Sequence, residues 1–436
     1  MTEQQETTVV APSTTTATTI ESIPSSSSSS SVVVVPVDEA ASSSNNTTDK
    51  GNHNKECVNQ DASCEHYVKK YTPYLDIELK NQVEIIDQDD LLDNEGKLKK
   101  GGWARQPCLN YNPSSLTSFR KGYRLKEWNY YGFVTDKFYL AVAVANLGYV
   151  NNYQTFFIEF DKPNNIIKDD VINTSFVTKG MQLPADSSAP GVHIDYTSKK
   201  FSLKFEVTNN GNGNDIKHNI KIKSKKMKLD ADITLDLSPN RESIVLVTPI
   251  GKENFYYNRK VNLIPVVAGS KLQVGDTDYL AESPDRQYNF TYGLMDWGRG
   301  CWDYSSFWLW SSAWGVTADG RPVGLNLGAG FGNLTTHTEN CVNIDGRIHK
   351  LGQVDIKYNP KDTAKPWLFE CKHGRFGGNP VVFTPFIKKV ESNNFGIISS
   401  SFDQIMGNFK GDIILDDGEV ISVDLYGFSE VHFARW

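Results

Sequence analysis

The chain has 436 residues and a formal charge of −7, so no overall basic field is present to attract nucleic acid or an anionic membrane. Hydrophobic residues make up 39% and aromatic residues 11%, a composition that suits strands and aromatic-lined cavities. No stretch approaches the roughly 20 apolar residues that a membrane-spanning helix needs. We therefore expect neither a nucleic-acid partner nor a transmembrane segment.

The head of the chain, residues 1–60, is rich in Ser, Thr and Asn and contains a serine run at residues 25–31. Such a segment cannot bury enough apolar surface to offset its chain entropy, so we predict a disordered tail. The valine run at residues 32–35 is either a short strand or part of this low-complexity tail. Residues 61–100 form a mixed extension before the first regular pattern.

Beyond residue 100, apolar residues alternate with polar ones, which is typical of half-buried strands. Asp-Gly pairs at positions 319, 345 and 417 each lie between apolar runs, where tight hairpins favour them. No amphipathic pattern of helical length recurs between the strands. These patterns predict an all-β, antiparallel protein. The clearest alternating run consists of Phe201, Leu203, Phe205 and Val207.

A change of composition near residues 251–263 divides the folded part into two halves. Each half contains enough strand for a barrel or sandwich of its own. We predict two tandem antiparallel β-barrels, the first at residues 101–269 and the second at residues 270–436.

The second half contains a series of short motifs in a fixed order. They are YGLMDWGRG at residues 292–300, WLW at 308–310, GLNL at 324–327, EN at 339–340 and GFSEVH at 427–432. This order resembles the DUF2804 family, and the resemblance extends from about Trp103 to Trp436. That family resembles, more distantly, the two-barrel lipocalin-like proteins related to carotenoid 1,2-hydratase and tocopherol cyclase. The resemblance implies lipocalin-like barrels and an apolar lipid or isoprenoid ligand, without implying a reaction.

Asp296 and Arg299 lie in the most aromatic segment of the chain, close to Trp297. An acid amid aromatic surface is desolvated, which raises its pKa to a range suited to protonating an alkene or epoxide. Tryptophan faces stabilise a carbocation by cation–π attraction. In the alternative interpretation, Arg299 pairs with Asp296 and fixes a turn between the barrels, while the aromatic residues fill the core.

Two further acids stand near histidines. Glu339 follows His337 by two positions, and Glu430 precedes His432 by two positions. Alternate residues of a strand project to the same face, so each pair is a candidate acid–base pair. The alternative for Glu339 and His337 is a solvated surface beside a hairpin. The alternative for His432 is that it caps a barrel end.

The candidate catalytic residues are Asp296, Arg299, Glu339, Glu430 and His432. The candidate ligand-binding residues are Trp128, Tyr130, Trp297, Trp308, Trp310, Asn326 and Asn340. We expect no metal and no cofactor, because no His/Cys cluster has zinc spacing and the glycines at 328–332 precede no helix that would hold a phosphate. The lysine-rich run at residues 217–228 is interpreted as a solvated strand face.

Six scattered cysteines and a polar start at residues 1–8 predict a reducing, cytoplasmic location with free thiols. Three functions remain open. One is an enzyme that hydrates or cyclises a hydrophobic lipid or isoprenoid by protonating it; the others are a non-catalytic intracellular lipid-binding protein and a structural protein with a vestigial pocket. A poorly paired acid buried in an aromatic cavity would favour the enzyme. The sequence does not indicate any protein partner.

Overall fold

The computed structural model describes residues 29–34 and 82–435, apart from 161, 163–167, 176–180, 211–213, 282–287, 335, 372–373 and 395–396. Most of the predicted tail and extension therefore lies outside the described residues. Within the tail, Ser29–Val34 forms a strand, as one interpretation of the valine run predicts, and the disorder of the rest of the tail stays a prediction.

Antiparallel strands make up most of the described chain, which confirms the predicted all-β class. A 3-10 helix spans Pro113–Ser115 and a π-helical turn spans Arg120–Arg124. No helix in this described part is long and apolar enough to cross a membrane. The strands in chain order are β1 (Ser29–Val34), β2 (Asp89–Asp90), β3 (Gly102–Ala104), β4 (Leu109–Asn110), β5 (Leu125–Thr135), β6 (Phe138–Asn146), β7 (Val150–Glu159), β8 (Lys168–Ser175), β9 (Gly191–Thr197), β10 (Phe201–Asn209), β11 (Ile216–Ser224), β12 (Leu229–Asp236), β13 (Ile244–Ile250), β14 (Asn254–Pro265), β15 (Lys271–Val274), β16 (Thr277–Asp278), β17 (Thr291–Cys301), β18 (Ser305–Val316), β19 (Pro322–Ala329), β20 (Cys341–Ile344), β21 (Arg347–Lys350), β22 (Val354–Lys357), β23 (Trp367–Cys371), β24 (Val381–Asn394), β25 (Ser399–Ile414) and β26 (Val420–Arg435).

Three large sheets organise these strands. The eight-stranded sheet has the order β3-β13-β14-β17-β5-β6-β7-β8, and the six-stranded sheet has the order β16-β15-β12-β11-β10-β9. The ten-stranded sheet has the order β21-β20-β19-β18-β26-β25-β24-β23-β22, with β1 beside β24. Strand β17 follows the predicted boundary at residue 269, yet it pairs with β14 and β5 from before that boundary. The division into two barrels stays a prediction.

The three predicted hairpins form at the Asp-Gly pairs. They join β18 to β19, β20 to β21 and β25 to β26, all antiparallel. Gly320, Gly346 and Gly418 have φ of 85°, 84° and 88°, a left-handed conformation that glycine adopts without a Cβ clash. The turn chemistry of the sequence therefore fixes these connections.

The eight-stranded sheet has a packed core on each face, because its side chains alternate between the two faces. On one face it packs against the six-stranded sheet, where the rings of Tyr131 and Phe205 meet at 4.9 Å. On the other face it packs against the ten-stranded sheet, where Tyr139 stacks on Trp314 at 5.4 Å. Neighbouring residues of β14 and β17 therefore enter different cores.

Candidate functional site

A cavity of about 210 Å³ lies between the eight-stranded and ten-stranded sheets, and we call it the aromatic cavity. Strands β5, β6, β7, β14 and β17 form one wall, and strands β18, β25 and β26 form the other. A mostly apolar wall with a few polar groups is typical of a small-molecule site. The polar or aromatic lining residues are Trp128, Tyr130, Asn152, Gln154, Phe156, Tyr256, Lys260, Asp296, Trp302, Trp308, Trp310, Phe331, Glu339, Phe402, Gln404, Glu430 and His432.

Asp296 lies in the middle of β17, opposite Lys260 on β14 and Tyr130 on β5. The expectation that it lies in a turn is wrong. Its Oδ2 accepts a hydrogen bond from Trp128 Nε1 at 3.1 Å, whereas its buried Oδ1 has no hydrogen-bond partner among the described residues. Burial raises the pKa of Asp296 to about 6, and the nearby Lys260 charge opposes that rise.

Glu339 forms a buried ion pair with Lys260, whose Nζ donates to both carboxylate oxygens at 2.8 Å. Asn258 Nδ2 also donates to Glu339, at 2.9 Å. Lys260 Nζ lies 4.2 Å from the centroid of the Trp310 ring, which adds a cation–π contact. The side chain of Lys260 is 4% exposed and that of Glu339 is 1% exposed, so each charge depends on the other for compensation.

Glu430 reaches the cavity from β26, with Trp310 opposite it on β18 and Gln404 opposite it on β25. Gln404 Nε2 donates to Glu430 Oε1 at 2.6 Å. Burial raises the pKa of Glu430 to about 8, although the hydrogen bond from Gln404 and the charge of Lys260 each lower it. The carboxyl group therefore holds its proton at neutral pH.

His432 lines the same cavity as Glu430, as the two-residue spacing on one strand predicts. Its ring centroid lies 4.1 Å from that of Trp308. Its Nε2 is hydrogen-bonded to Ser400 Oγ at 2.9 Å. Desolvation lowers the pKa of His432, so the imidazole is neutral at pH 7.

Arg299 and Trp297 lie on the opposite face of β17 and do not line the aromatic cavity. The alternative Asp296–Arg299 ion pair is wrong, because residues three apart on a strand face opposite ways. Arg299 Nε lies 3.7 Å from the carboxylate of Glu127, and its Nη1 donates to Trp128 O at 2.7 Å. The structure therefore gives Arg299 a place in the core between the eight-stranded and six-stranded sheets.

Asn326 and Asn340 lie behind the cavity wall rather than in it. Asn326 Oδ1 accepts from Trp310 Nε1 at 2.8 Å, and its Nδ2 donates to the Glu339 carbonyl at 2.9 Å. Asn340 Oδ1 accepts from the Gly328 N–H at 2.8 Å. The Asn326 amide therefore positions the wall residues Trp310 and Glu339, which is an indirect role, whereas the Asn340 amide binds the backbone behind the wall.

His337 stays outside the cavity lining, and its Nδ1 is hydrogen-bonded to Thr336 Oγ1 at 3.0 Å. It precedes β20 and does not lie on a strand, so the same-face argument does not apply to His337 and Glu339.

Two glycines clear space for the site. A Cβ at Gly298 would lie 2.2 Å from Trp128 Cε2, and a Cβ at Gly328 would lie 2.0 Å from Glu339 Oε1. Both distances are far below van der Waals contact. The glycine at position 328 therefore makes room for the buried carboxylate.

Lys260 and Gln404 line the cavity but were not among the residues predicted from the sequence. A lysine or glutamine on an alternating strand looks like an ordinary solvent-facing residue. These side chains are buried in the cavity only because the eight-stranded sheet, which contains β14, packs against the ten-stranded sheet, which contains β25. The sequence carries no local signal for that packing.

The fold and the site define an all-β protein in which two sheets enclose an aromatic cavity that contains buried carboxyl groups. The chain belongs to the family described as "Domain of unknown function (DUF2804)", whose model matches residues 82–436. A search of curated proteins gives no match.

Similar solved structures include kievitone hydratase from Nectria haematococca, at 11% identity and a TM-score of 0.36, covering 72% of this chain and 92% of the other. Another is CghA with Sch210972, at 8% identity and a TM-score of 0.31, covering 72% of this chain and 88% of the other.

Proposed function

We propose that the aromatic cavity binds a small hydrophobic, unsaturated ligand of the lipid or isoprenoid type and that Glu430 protonates it. The observation that carries this proposal is a buried carboxyl group with a pKa raised to about 8 in a wall of aromatic side chains. A general acid works best when its pKa lies near the working pH. Glu430 meets that condition without a metal or cofactor.

In the proposed reaction, two acids with different pKa values act at different steps, one as the proton donor and the other as the proton acceptor. Glu430 gives its proton to one alkene carbon, the π-electron pair forms the new C–H bond, and the other carbon becomes a carbocation. Water then adds to that carbon and passes a proton to Asp296, whose lower pKa of about 6 leaves it ionised at neutral pH. The net reaction is hydration, and solvent exchange returns both carboxyl groups to their starting states.

Cyclisation follows from the same first step when a second double bond of the ligand attacks the cation. The proton lost afterwards goes to the Asp296 carboxylate. The aromatic faces of Trp128 and Trp308 in the wall stabilise the cation in either course. The role of proton donor thus passes from Asp296, favoured by the sequence, to Glu430.

The second candidate function is a non-catalytic lipid carrier. Lys260 lies over the Trp310 ring, so this face is already occupied by a positive charge. A carbocation next to it would be repelled, which weakens one wall of the proposed active site. A carrier needs only the apolar lining.

Deuterium transfer separates the two functions. The full chain is incubated in D₂O with a neutral lipid extract from its native cells, and the products are analysed by mass spectrometry. Protonation of a double bond places deuterium at a carbon position that does not exchange. We expect this label with the wild type and with Glu253→Gln, an exposed control, and its loss with Glu430→Gln. Label formation that persists in Glu430→Gln would refute the assignment, and absence of label with the wild type would favour the carrier.

We also propose a reducing, cytoplasmic location. Within the described residues, Cys108, Cys301, Cys341 and Cys371 are free, and Cys57 and Cys64 lie outside them. Four free thiols, two of them buried, fit a compartment in which disulfides are not maintained.

A further inference from the structure

A second cavity of about 440 Å³ lies on the other face of β14 and β17, and we call it the polar cavity. It shares no lining residue with the aromatic cavity. Its residues include none of the candidate acids. The lining residues used below are Tyr111, Ser187, Ser188, Tyr257, Arg259 and Trp297.

Arg259 is the charged anchor of the polar cavity, and it is 6% exposed. All the hydrogen bonds that Arg259 makes within the described residues go to neutral side chains. Its Nη1 donates to Ser187 Oγ at 3.1 Å and to Ser188 Oγ at 3.0 Å, and its Nη2 donates to Gln106 Oε1 at 3.2 Å. Its Nε donates to Ser243 Oγ at 3.3 Å. The exposed carboxylate of Asp186 acts on Arg259 through its charge without a hydrogen bond, so a buried cation whose hydrogen bonds all go to neutral groups is stabilised further by an anion that enters the cavity.

The polar groups around Arg259 have N–H and O–H groups available to donate hydrogen bonds to a ligand. The hydroxyl oxygens of Ser187 and Ser188 accept from Arg259, so the hydroxyl protons remain for another acceptor. Trp297 is 3% exposed, and its buried Nε1–H has no acceptor among the described residues. Leaving a buried donor unpaired is costly, and an oxygen-bearing ligand would remove that cost.

The nearby negative charges limit the charge of the ligand. Asp186 also lines the cavity, is exposed, and accepts from the Ser188 N–H at 2.8 Å through Oδ1. The Glu127 carboxylate already has two partners. Its Oε1 lies 3.7 Å from Arg299 Nε and accepts a hydrogen bond from the Tyr111 hydroxyl at 2.8 Å. With Asp186 at the edge, one negative charge suits the site better than a polyanion.

The remaining wall favours an aromatic or apolar body. Tyr257 donates its hydroxyl to Leu109 O at 2.9 Å, and the Tyr111 hydroxyl is committed to Glu127, so the rings are the surfaces left for contact. The Tyr257 and Trp297 rings meet edge to face at 5.4 Å. Such rings offer rigid apolar contact area to a ligand.

We propose that the polar cavity binds a small carboxylic acid with an aromatic or apolar body, its carboxylate held by Arg259, Ser187, Ser188 and Trp297. This proposal does not depend on the function proposed for the aromatic cavity.

Fluorine NMR of a fluorinated phenylacetate titrated with the full chain tests the proposal. We expect saturable binding, with the matching neutral amide, acetate and inorganic phosphate each at least about tenfold weaker, because each lacks either the charge or the ring. Trp297→Phe keeps an aromatic ring at this position and removes the N–H donor, so it should weaken binding roughly tenfold, the scale of one hydrogen bond to a charged group. Ser187→Ala should weaken binding in the same direction.

Ala143→Trp is the matched control, because Ala143 lines the aromatic cavity and not the polar one. Its affinity for the acid should equal that of the wild type, provided that thermal melts show that each variant is folded. Absence of binding, equal binding of the amide or phosphate, or loss of binding in Ala143→Trp with retention in Trp297→Phe would each overturn the proposal.

Discussion

At the scale of single residues, the site depends on which carboxyl groups have a charged partner. The charged partner of Glu339 is Lys260. Asp296 instead accepts a hydrogen bond from the neutral indole of Trp128, and Glu430 accepts one from the neutral amide of Gln404. The sequence pointed to all three acids, and the structure places Glu430 and His432 in one cavity. The sequence-based interpretation failed for Arg299, because a strand was taken for a turn.

Neutralising Glu339 should be far more damaging than neutralising Asp296. Glu339→Gln leaves Lys260 buried without its counterion, which costs about 3–5 kcal/mol of unfolding free energy. Asp296→Asn keeps an acceptor for Trp128 and breaks no ion pair among the described contacts, so we expect a much smaller loss. Urea unfolding of both variants measures the difference. A larger loss in Asp296→Asn would show that the charge partners have been misassigned.

The pKa of Glu430 predicts a pH dependence of stability. It is about 8 in the folded protein, compared with an ordinary value of 4.5, so folding favours the protonated form. The contribution is complete below pH 4.5 and is lost as pH rises through 8. The wild type should therefore lose stability over this window relative to Glu430→Gln, by on the order of a few kcal/mol. Urea midpoints measured across the window for both proteins and for Glu253→Gln provide the check; parallel curves for all three would contradict it.

At the scale of elements, alternation and turn chemistry carry most of the predictable information. The alternating run in β10 and the Asp-Gly hairpins are local patterns, and both form as predicted. The lysine-rich strand β11 also matches its interpretation as a solvated face, since exposed Lys221 and Lys223 pair with Asp232 and Asp230 on β12. Pairing between distant strands has no local pattern, so the position of β17 could not be predicted.

Strand β1 should protect the edge of β24 without supporting the core. It pairs with residues 387–392 of β24 in antiparallel register. Removing residues 1–60 should leave the melting temperature nearly unchanged, while amide hydrogen exchange in residues 387–392 becomes faster because the strand loses its neighbour. A loss of many degrees would instead mean that the head stabilises the whole fold. Unchanged exchange would mean that β1 does not pair with β24 in solution.

At the scale of the whole molecule, the site lies between the eight-stranded and ten-stranded sheets, so neither half of the chain can form it alone. Lys260 and Asp296 come from the eight-stranded sheet, and Glu430 comes from the ten-stranded sheet. The sequence predicted the residue types and the family, but it gave no sign that they meet at the contact between sheets. Packing between strands that are distant in the sequence brings these residues together, and no single segment contains a pattern that predicts this packing.

Thiol counting tests the proposed compartment for the complete chain. We expect six reactive thiols under denaturing, non-reducing conditions, because the sequence has six cysteines and the described ones are free. A protein sample prepared from native cells with thiols blocked at lysis is the appropriate material. Four or fewer thiols would contradict a reducing location.

The most direct test of the proposed function is the identity of the molecule that co-purifies with the full chain from its native cells. Mass spectrometry of an organic extract should find an unsaturated hydrophobic compound with Glu430→Gln, and its hydrated or cyclised product with the wild type. The product differs from the substrate by one water or has the same mass and a different structure. Ala143→Trp, which fills the aromatic cavity, should carry neither compound. The same unmodified compound in the wild type and in Glu430→Gln would contradict protonation by Glu430, and retention of the compound in Ala143→Trp would contradict the site itself.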